Sequence, residues 1–258
     1  MSGGNATRAI GDLTFQDVPA RLSACSILCL PLGAIEQHGP HLPLNTDLIV
    51  AEQFADRIVA EYGEAFDLWR LPAVPLGVSP EHAWAAGTMS LSADSFLALM
   101  RNIGREIVRT LPARNLLVVN GHGGNRGLLE VMTHEWRAMQ INACVIHPLA
   151  LSGLEGECAY PDIHAGRIET SLMLVFAPEL VRREALASLA MPDATEVKRA
   201  ILDWGVTWGW NSGDRRIADR GVTGNAGAAS AEFGDEVIRR TLANVGPVLQ
   251  RLRENGAR

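Results

Sequence analysis

The chain has 258 residues, is 47% hydrophobic and carries a formal net charge of -6 at neutral pH, so it can bury one sizeable core, and a single domain over residues 1–258 is expected. The acidic balance, with a pI near 5.7, lacks the clustered basic surface that a phosphate backbone demands, which excludes nucleic acid as a partner. The opening MSGGNATRAIGDLTFQD has no apolar leader segment, and no later stretch approaches the roughly 18 apolar residues of a membrane span, so a soluble, cytoplasmic protein without membrane partners is expected.

In chain order, the spacing predicts a strand at 27–32 and then a helix in DLIVAEQFADRIVAEYG, whose apolar residues recur every three or four positions and which closes on Gly63. A second strand is expected at 68–76. SADSFLALMRNIGREIVRTLP reads as a helix capped by Ser92 and stopped by Pro112. A third strand at 115–120 precedes a helix running from Asn125 to Gln140, and a fourth strand falls at 143–148. A further helix starts near Gly166, and AEFGDEVIRRTLANVGPVLQRLREN supplies a long closing helix despite Gly246 and Pro247. The less periodic stretch 193–229, with Trp204, Trp208 and Trp210, reads as a loop-rich flap or oligomer contact. Strands alternating with helices imply an α/β fold: a mostly parallel central sheet covered by helices. The four cysteines (Cys25, Cys29, Cys144 and Cys158) show neither a C-x-x-C pair nor a zinc-finger rhythm and are expected as core thiols.

In open α/β sheets ligands bind beyond the carboxyl ends of the strands. Three polar clusters fall there: Glu36 and His38 after the first strand with Asp47 opening the next helix; His122 within NGHGGN after the third; and His164 with Glu169 in DIHAGRIETS. Residues two apart in extended chain point the same way about 6.5 Å apart, so Glu36 and His38 can serve adjacent ions. The ions of a two-metal hydrolase lie about 3.5–4 Å apart, a gap that one carboxylate spans, and Asp47 is the candidate bridge. The bland alternatives are Asp47 or Thr46 as a plain helix cap, and Glu36 with His38 as partners of backbone groups around Gly39-Pro40. Three such clusters at one edge, all of residue types suited to zinc or manganese, favour the metal reading. His41 is placed beside the metal loop to orient a ligand. His134, His147 and the run Asp214, Arg215, Arg216 are read as structural or solvated groups.

Together, LPLGAIEQHGPHLPLNTD, NGHGGN and HAGRIETSLML resemble the creatininase family of metal-dependent amidohydrolases. GVSPEHAWAAGTMSL and GVTGNAGAASAEFG extend the likeness from about Leu30 to Gly234. The resemblance implies a three-layer α/β/α sandwich, a binuclear centre of two divalent ions (zinc, manganese or both, with iron(II) a further option) and a homo-oligomer such as a hexamer. It makes Glu36 a ligand of one ion, His38 of the other, Asp47 the bridge and His122 a further ligand, with His164 the catalytic histidine and Glu169 its companion. The chain departs from creatininase at Gly124, where creatininase has a metal-binding glutamate, and Glu169 is expected to complete the second ion's shell instead. It departs again in CAYPDIHAG, where Tyr160 replaces the tryptophan that packs on creatinine. Creatinine is thus not the expected substrate, and the motifs look closer to the peptidase and formamide-hydrolase branches.

The expected activity is hydrolysis of a carbon–nitrogen bond (amide, lactam or formamide, other than a typical peptide bond) in a small molecule or short peptide. Ser79, Glu81, His82 and Tyr160 are assigned to the substrate side, and His164 to relaying a proton to the leaving nitrogen. The alternatives are a peptidase acting in a peptide-derived cofactor pathway and a metal-binding scaffold without catalysis.

Overall fold

The computed structural model describes residues 8–157, 160–201 and 206–256; Cys158 and Trp204 lie outside them. Four strands, β1 (Ile27–Leu32), β2 (Leu68–Arg70), β3 (Asn115–Asn120) and β4 (Asn142–Ile146), form one parallel sheet in the order β2-β1-β3-β4. Among the described residues the longer helices are α1 (Thr46–Phe66), α2 (Ala93–Thr110), α3 (Arg126–Ala138), α4 (Arg167–Phe176), α5 (Ala194–Ile201) and α6 (Ala231–Gly256), of which all but α5 pack on the faces of the sheet.

Side chains alternate along each strand, and the two faces collect different helices. Ile27, Cys29, Leu117 and Val119 pack with Val50, Phe54 and Ile58 of α1, Leu172 of α4 and Val237, Val245 and Leu249 of α6. Leu28, Leu30, Leu116 and Val118 face the other way, onto Phe96, Met100 and Ile107 of α2 and Leu129, Met132 and Trp136 of α3. The result is the expected three-layer α/β/α arrangement. Both faces being covered explains why the strands read as unbroken apolar runs.

This winding positions the site. The helix after β1 lies on one face and the helix after β3 on the other, although the two strands are neighbours in register from Ile27↔Asn115 to Leu32↔Asn120. Their exit loops therefore part in opposite directions and leave a crevice at the carboxyl edge, the switch point where such sheets bind ligands.

Several boundaries differ from expectation. β2 ends at Arg70 rather than 76, because Pro72 and Pro75 cannot donate to the ladder; pairing persists only as isolated bonds such as Val74 N to the Pro31 carbonyl at 3.0 Å. α1 runs past Gly63 to Phe66 and closes on Asp67 in the left-handed conformation, φ 51°. The stretch 193–229 contains α5, a 3-10 turn at Ala226–Ala228 and isolated bridges at Asp219↔Val222 and His164↔Thr223, its other described residues being loop. α6 continues through Pro247, whose missing N–H frees the Ala243 carbonyl. Of the cysteines, Cys29 is buried and Cys144 half-buried, but Cys25 is exposed, because it stands two residues before β1 in a surface turn.

Candidate metal centre and active site

Asp47 is the second residue of α1, yet it does not act as a cap: the N-cap is Asn45, with no side-chain cap bond. Its carboxylate is buried and turned into the crevice. Oδ1 lies 3.1 Å from His38 Nε2 and Oδ2 lies 3.0 Å from His122 Nδ1. Gly121 permits this approach, since a Cβ there would stand 2.2 Å from the Asp47 carbonyl oxygen.

Both histidines are oriented from behind. His38 donates Nδ1–H to the Glu36 carbonyl at 3.1 Å, and His122 donates Nε2–H to the Val78 carbonyl at 2.9 Å. In each ring the nitrogen facing Asp47 is thereby the one whose proton a metal would displace, leaving the tautomer a metal ligand needs. Glu36 Oε2 sits 3.3 Å from His122 Nε2, and Glu169 Oε2 sits 3.8 Å from His38 Nε2 while accepting the Ala165 N–H at 2.6 Å.

Two trios emerge, Glu36–Asp47–His122 and His38–Asp47–Glu169, each with ligand atoms within 4.8 Å of one another and with Asp47 common to both. A third, Glu36–His38–His164, meets the same limit. The donor set fits divalent cations on a further ground: among the described residues, the buried oxygens of Glu36 and Asp47 Oδ2 have only histidine nitrogens and the Ser79 hydroxyl near them, a costly arrangement unless protons or a cation satisfy them. Carboxylate and imidazole donors suit zinc and manganese.

Electrostatics bears the same mark. Burial raises the Glu36 carboxyl to about 8, helped by the neighbouring Asp47 charge, and burial raises Glu169 to about 7. Burial opposes charge on Asp47, but His38 and His122 outweigh it and hold the carboxyl far below its usual range. Burial likewise disfavours His38 and His122 as cations, yet Asp47 and Glu36 lift both to about 10. Without metal, a proton on Glu36 and the cationic His38 and His122 offset the crowded carboxylate charge, Asp47 staying ionised.

His164 and His82 complete the centre. His164 donates Nε2–H to the Gln37 carbonyl at 2.7 Å and turns Nδ1 towards Glu36 Oε1, 3.6 Å away. The His82 ring stacks on it at 4.0 Å between centroids and places Nε2 at 3.4 Å from the same oxygen. Burial, then the fields of His82 and His38, push His164 well below its ordinary value; burial and the fields of His38 and His122 lower His82 to about 3. Both rings are neutral at physiological pH.

A cavity of about 720 Å³ opens above these groups, lined by Glu36, Asp47, His122, His82, His164 and Glu169, and also by Glu81, Tyr160 and Trp210. Of the residues assigned to the substrate side, Glu81, His82 and Tyr160 do face it. Ser79 is not part of the cavity wall: it is fully buried, its hydroxyl 3.2 Å from His122 Nε2 and hydrogen-bonded to the Glu36 side chain. His41 reaches Thr170 at 2.9 Å, next to Glu169. His134 is exposed on α3, His147 lies 3.0 Å from Asn120, and Arg216 pairs with Asp214 at the surface.

The sequence reading did not single out three residues. Asp162 accepts the N–H groups of Arg167 and Ile168, both at 2.7 Å, and so anchors the start of α4 that carries Glu169; its position five residues before a helical turn was the available signal. Gln37 lies between two assigned residues in sequence, and Ser212 has no local signature. At Gly124, a Cβ would fall 2.2 Å from the Val78 carbonyl oxygen and 2.6 Å from His122 Nε2, so this backbone has no room for the glutamate that creatininase carries there.

Comparison with known proteins agrees with this geometry. Residues 11–248 match the family model described as "Creatininase: Creatinine amidohydrolase". The chain is 31% identical over 238 residues to a mycofactocin precursor peptide peptidase of Mycobacterium ulcerans, covering 89% of this chain and 85% of that one. It is 28% identical over 194 residues to a creatinine amidohydrolase of Pseudomonas putida, covering 67% and 73%. The fold superposes on a solved structure described as "Creatininase Mn" with a TM-score of 0.76 at 24% identity, covering 95% and 98%. The chain therefore belongs to the creatininase family of hydrolases.

Proposed function

We propose that the protein is a binuclear metal-dependent amidohydrolase that cleaves a carbon–nitrogen bond in a short peptide or peptide-like amide. The observation that carries this reading is the pair of ligand trios joined at Asp47. Glu36, Asp47 and His122 would hold one ion, and His38, Asp47 and Glu169 the other, zinc or manganese suiting both. When bound, the ions supply a water nucleophile near neutral pH and polarise the substrate carbonyl.

The remaining work falls to the chain's own groups. His164, its Nε2–H fixed on the Gln37 carbonyl, presents an unprotonated Nδ1 that takes the proton from the attacking water and returns it to the leaving nitrogen. Glu169 is tied to the Ala165 N–H, so the turn bearing His164 and the carboxylate five residues later move as one unit. His82, stacked on His164, shields that ring from bulk water.

The volume favours a short peptide over a small lactam: about 720 Å³ lies within the roughly 300–1,000 Å³ of pockets that enclose drug-sized ligands. The named function of the Mycobacterium ulcerans relative points the same way. The poised, neutral His164 speaks against a scaffold that merely stores metal, since structural metal sites are closed and need no base beside them.

The test is metal analysis of purified protein followed by hydrolysis of a panel of formamides, lactams and short peptides before and after chelation. Metal-dependent release of amine from a peptide supports the proposal; stoichiometric metal with no turnover on any member refutes it. A single-domain chain assembling as a homo-oligomer is part of the same proposal, and light scattering decides the latter.

A further inference from the structure

The centre contains a second chain of hydrogen bonds that reaches it through Ser212, a residue outside the motif-bearing loops. Trp84 donates its indole Nε1–H to Ser212 Oγ at 2.8 Å, and Ser212 Oγ lies 2.7 Å from His82 Nδ1. Ser212 and His82 are each 1% exposed. The Ser212 N–H is fixed on the Glu81 carbonyl at 3.1 Å, and Trp210 stands edge-on to the His82 ring at 5.6 Å. The segment around 210–212 therefore packs against His82 at its Nδ1 edge.

The Gln37 amide nitrogen has two hydrogens and four polar neighbours, His82 Nδ1 at 2.9 Å, His164 Nε2 and the Gly221 carbonyl each at 3.1 Å, and Ser212 Oγ at 3.2 Å, and the donor capacities of this group point to the nitrogen of His82 that carries hydrogen. Gln37 Oε1 accepts the Gly39 N–H at 2.9 Å, so the side of the amide facing His82 is its NH₂ group, 2.9 Å from Nδ1. An amide NH₂ only donates, and an indole N–H only donates. If Nδ1 bore a hydrogen it would point at the Gln37 amide hydrogens. With Nδ1 bare, Gln37 directs one amide hydrogen to it and the other to the Gly221 carbonyl, His164 Nε2–H goes to the Gln37 carbonyl at 2.7 Å, and the single Ser212 hydrogen goes to Nδ1 at 2.7 Å in preference to the Glu81 carbonyl at 3.2 Å, while Ser212 Oγ accepts from Trp84. The ring hydrogen is then on Nε2, which faces Glu36 Oε1 at 3.4 Å. His164 is arranged the opposite way, its hydrogen directed outward to the Gln37 carbonyl and its bare Nδ1 directed inward.

We propose that Ser212, held by Trp84, is a positioning residue that locks His82 as a hydrogen-bond donor to the reaction centre, opposite the acceptor His164. The two stacked rings thus offer one donor and one acceptor to the same spot, as a tetrahedral adduct with a developing oxyanion and a leaving nitrogen requires. This rests on the hydrolase reading above for its catalytic meaning; the tautomer itself does not.

The experiment uses the zinc-loaded full chain, labelled with ¹⁵N histidine, with the His82 signals assigned by difference from His82→Gln. The wild type is expected to show His82 as the Nε2–H tautomer. Ser212→Ala is expected to lose that single tautomer and about 10–100-fold in kcat, the usual cost of removing such a support, with KM and zinc content unchanged; Ser212→Thr, which keeps the hydroxyl, is expected to restore both. Wild-type His82 as the Nδ1–H tautomer, or Ser212→Ala with tautomer and turnover intact, overturns the proposal. If no amide is hydrolysed by the wild type, the hydrolase reading fails while the tautomer measurement still decides the role of Ser212.

Discussion

Replacing Gly124 by Ala probes the packing behind the metal centre. The added Cβ would meet the Val78 carbonyl oxygen at 2.2 Å and His122 Nε2 at 2.6 Å. Neither can yield cheaply, one being backbone and the other a buried imidazole already bonded to that same carbonyl at 2.9 Å. Relief requires the 121–124 loop to shift away from Val78, which costs about 1–3 kcal/mol for an overpacked site. At about 2 kcal/mol a chain of this size loses about 4–8 °C in Tm. The shift also displaces His122 Nδ1 from Asp47, so metal affinity falls with stability. Gly124→Glu must suffer the same clash and cannot restore a creatininase-like ligand. Thermal unfolding and isothermal metal titration of the three proteins check this. An unchanged Tm in Gly124→Ala, or tighter metal binding in Gly124→Glu, would refute the reasoning and remove the case for Glu169 as the completing ligand.

Other outcomes follow from the same geometry. His164→Ala should retain both ions and lose about 10²–10⁴-fold in kcat, read by metal analysis beside steady-state kinetics; loss of metal would make His164 a ligand, as its trio with Glu36 and His38 allows. In the metal-free protein Glu36 titrates at about 8 and His38 and His122 at about 10. All three are therefore mostly protonated at pH 7 and must shed protons to ligate, so metal affinity should rise with pH between 6 and 9. Calorimetry in buffers of different ionisation enthalpy should detect proton release, and its absence would contradict these assignments. Trp136→Ala, at a fully buried ring whose Nε1–H meets the Met100 carbonyl at 3.3 Å, should cost about 3–5 kcal/mol in denaturant unfolding. A loss under about 1 kcal/mol would contradict the tight α2–α3 packing on that face.

What the sequence disclosed tracks the range of the interactions. β1 and β3 were legible because strands covered on both faces are continuous apolar runs, and α2 because Ser92 caps it and accepts the Ser95 N–H at 3.1 Å. β2 was overextended because residues 71–76 remain apolar while two prolines remove the donors. Glu36, His38 and Asp47 were visible together because one loop and one helix start bring them within twelve residues. Ser212 was not, since it meets His82 across 130 residues from an aperiodic segment and a serine among glycines carries no local signal. Ser79 is buried beside His122 and not on the cavity wall, which a loop sequence does not disclose because it does not tell which side chains turn inward.

The most direct measurement is the metal content of the wild type beside Asp47→Asn, with ion positions located by anomalous diffraction from crystals grown with zinc. Two ions per chain flanking Asp47, and failure of the variant to fill either site, are the results expected here. A full complement of ions in Asp47→Asn, or a single wild-type ion that does not touch Asp47, would contradict the account.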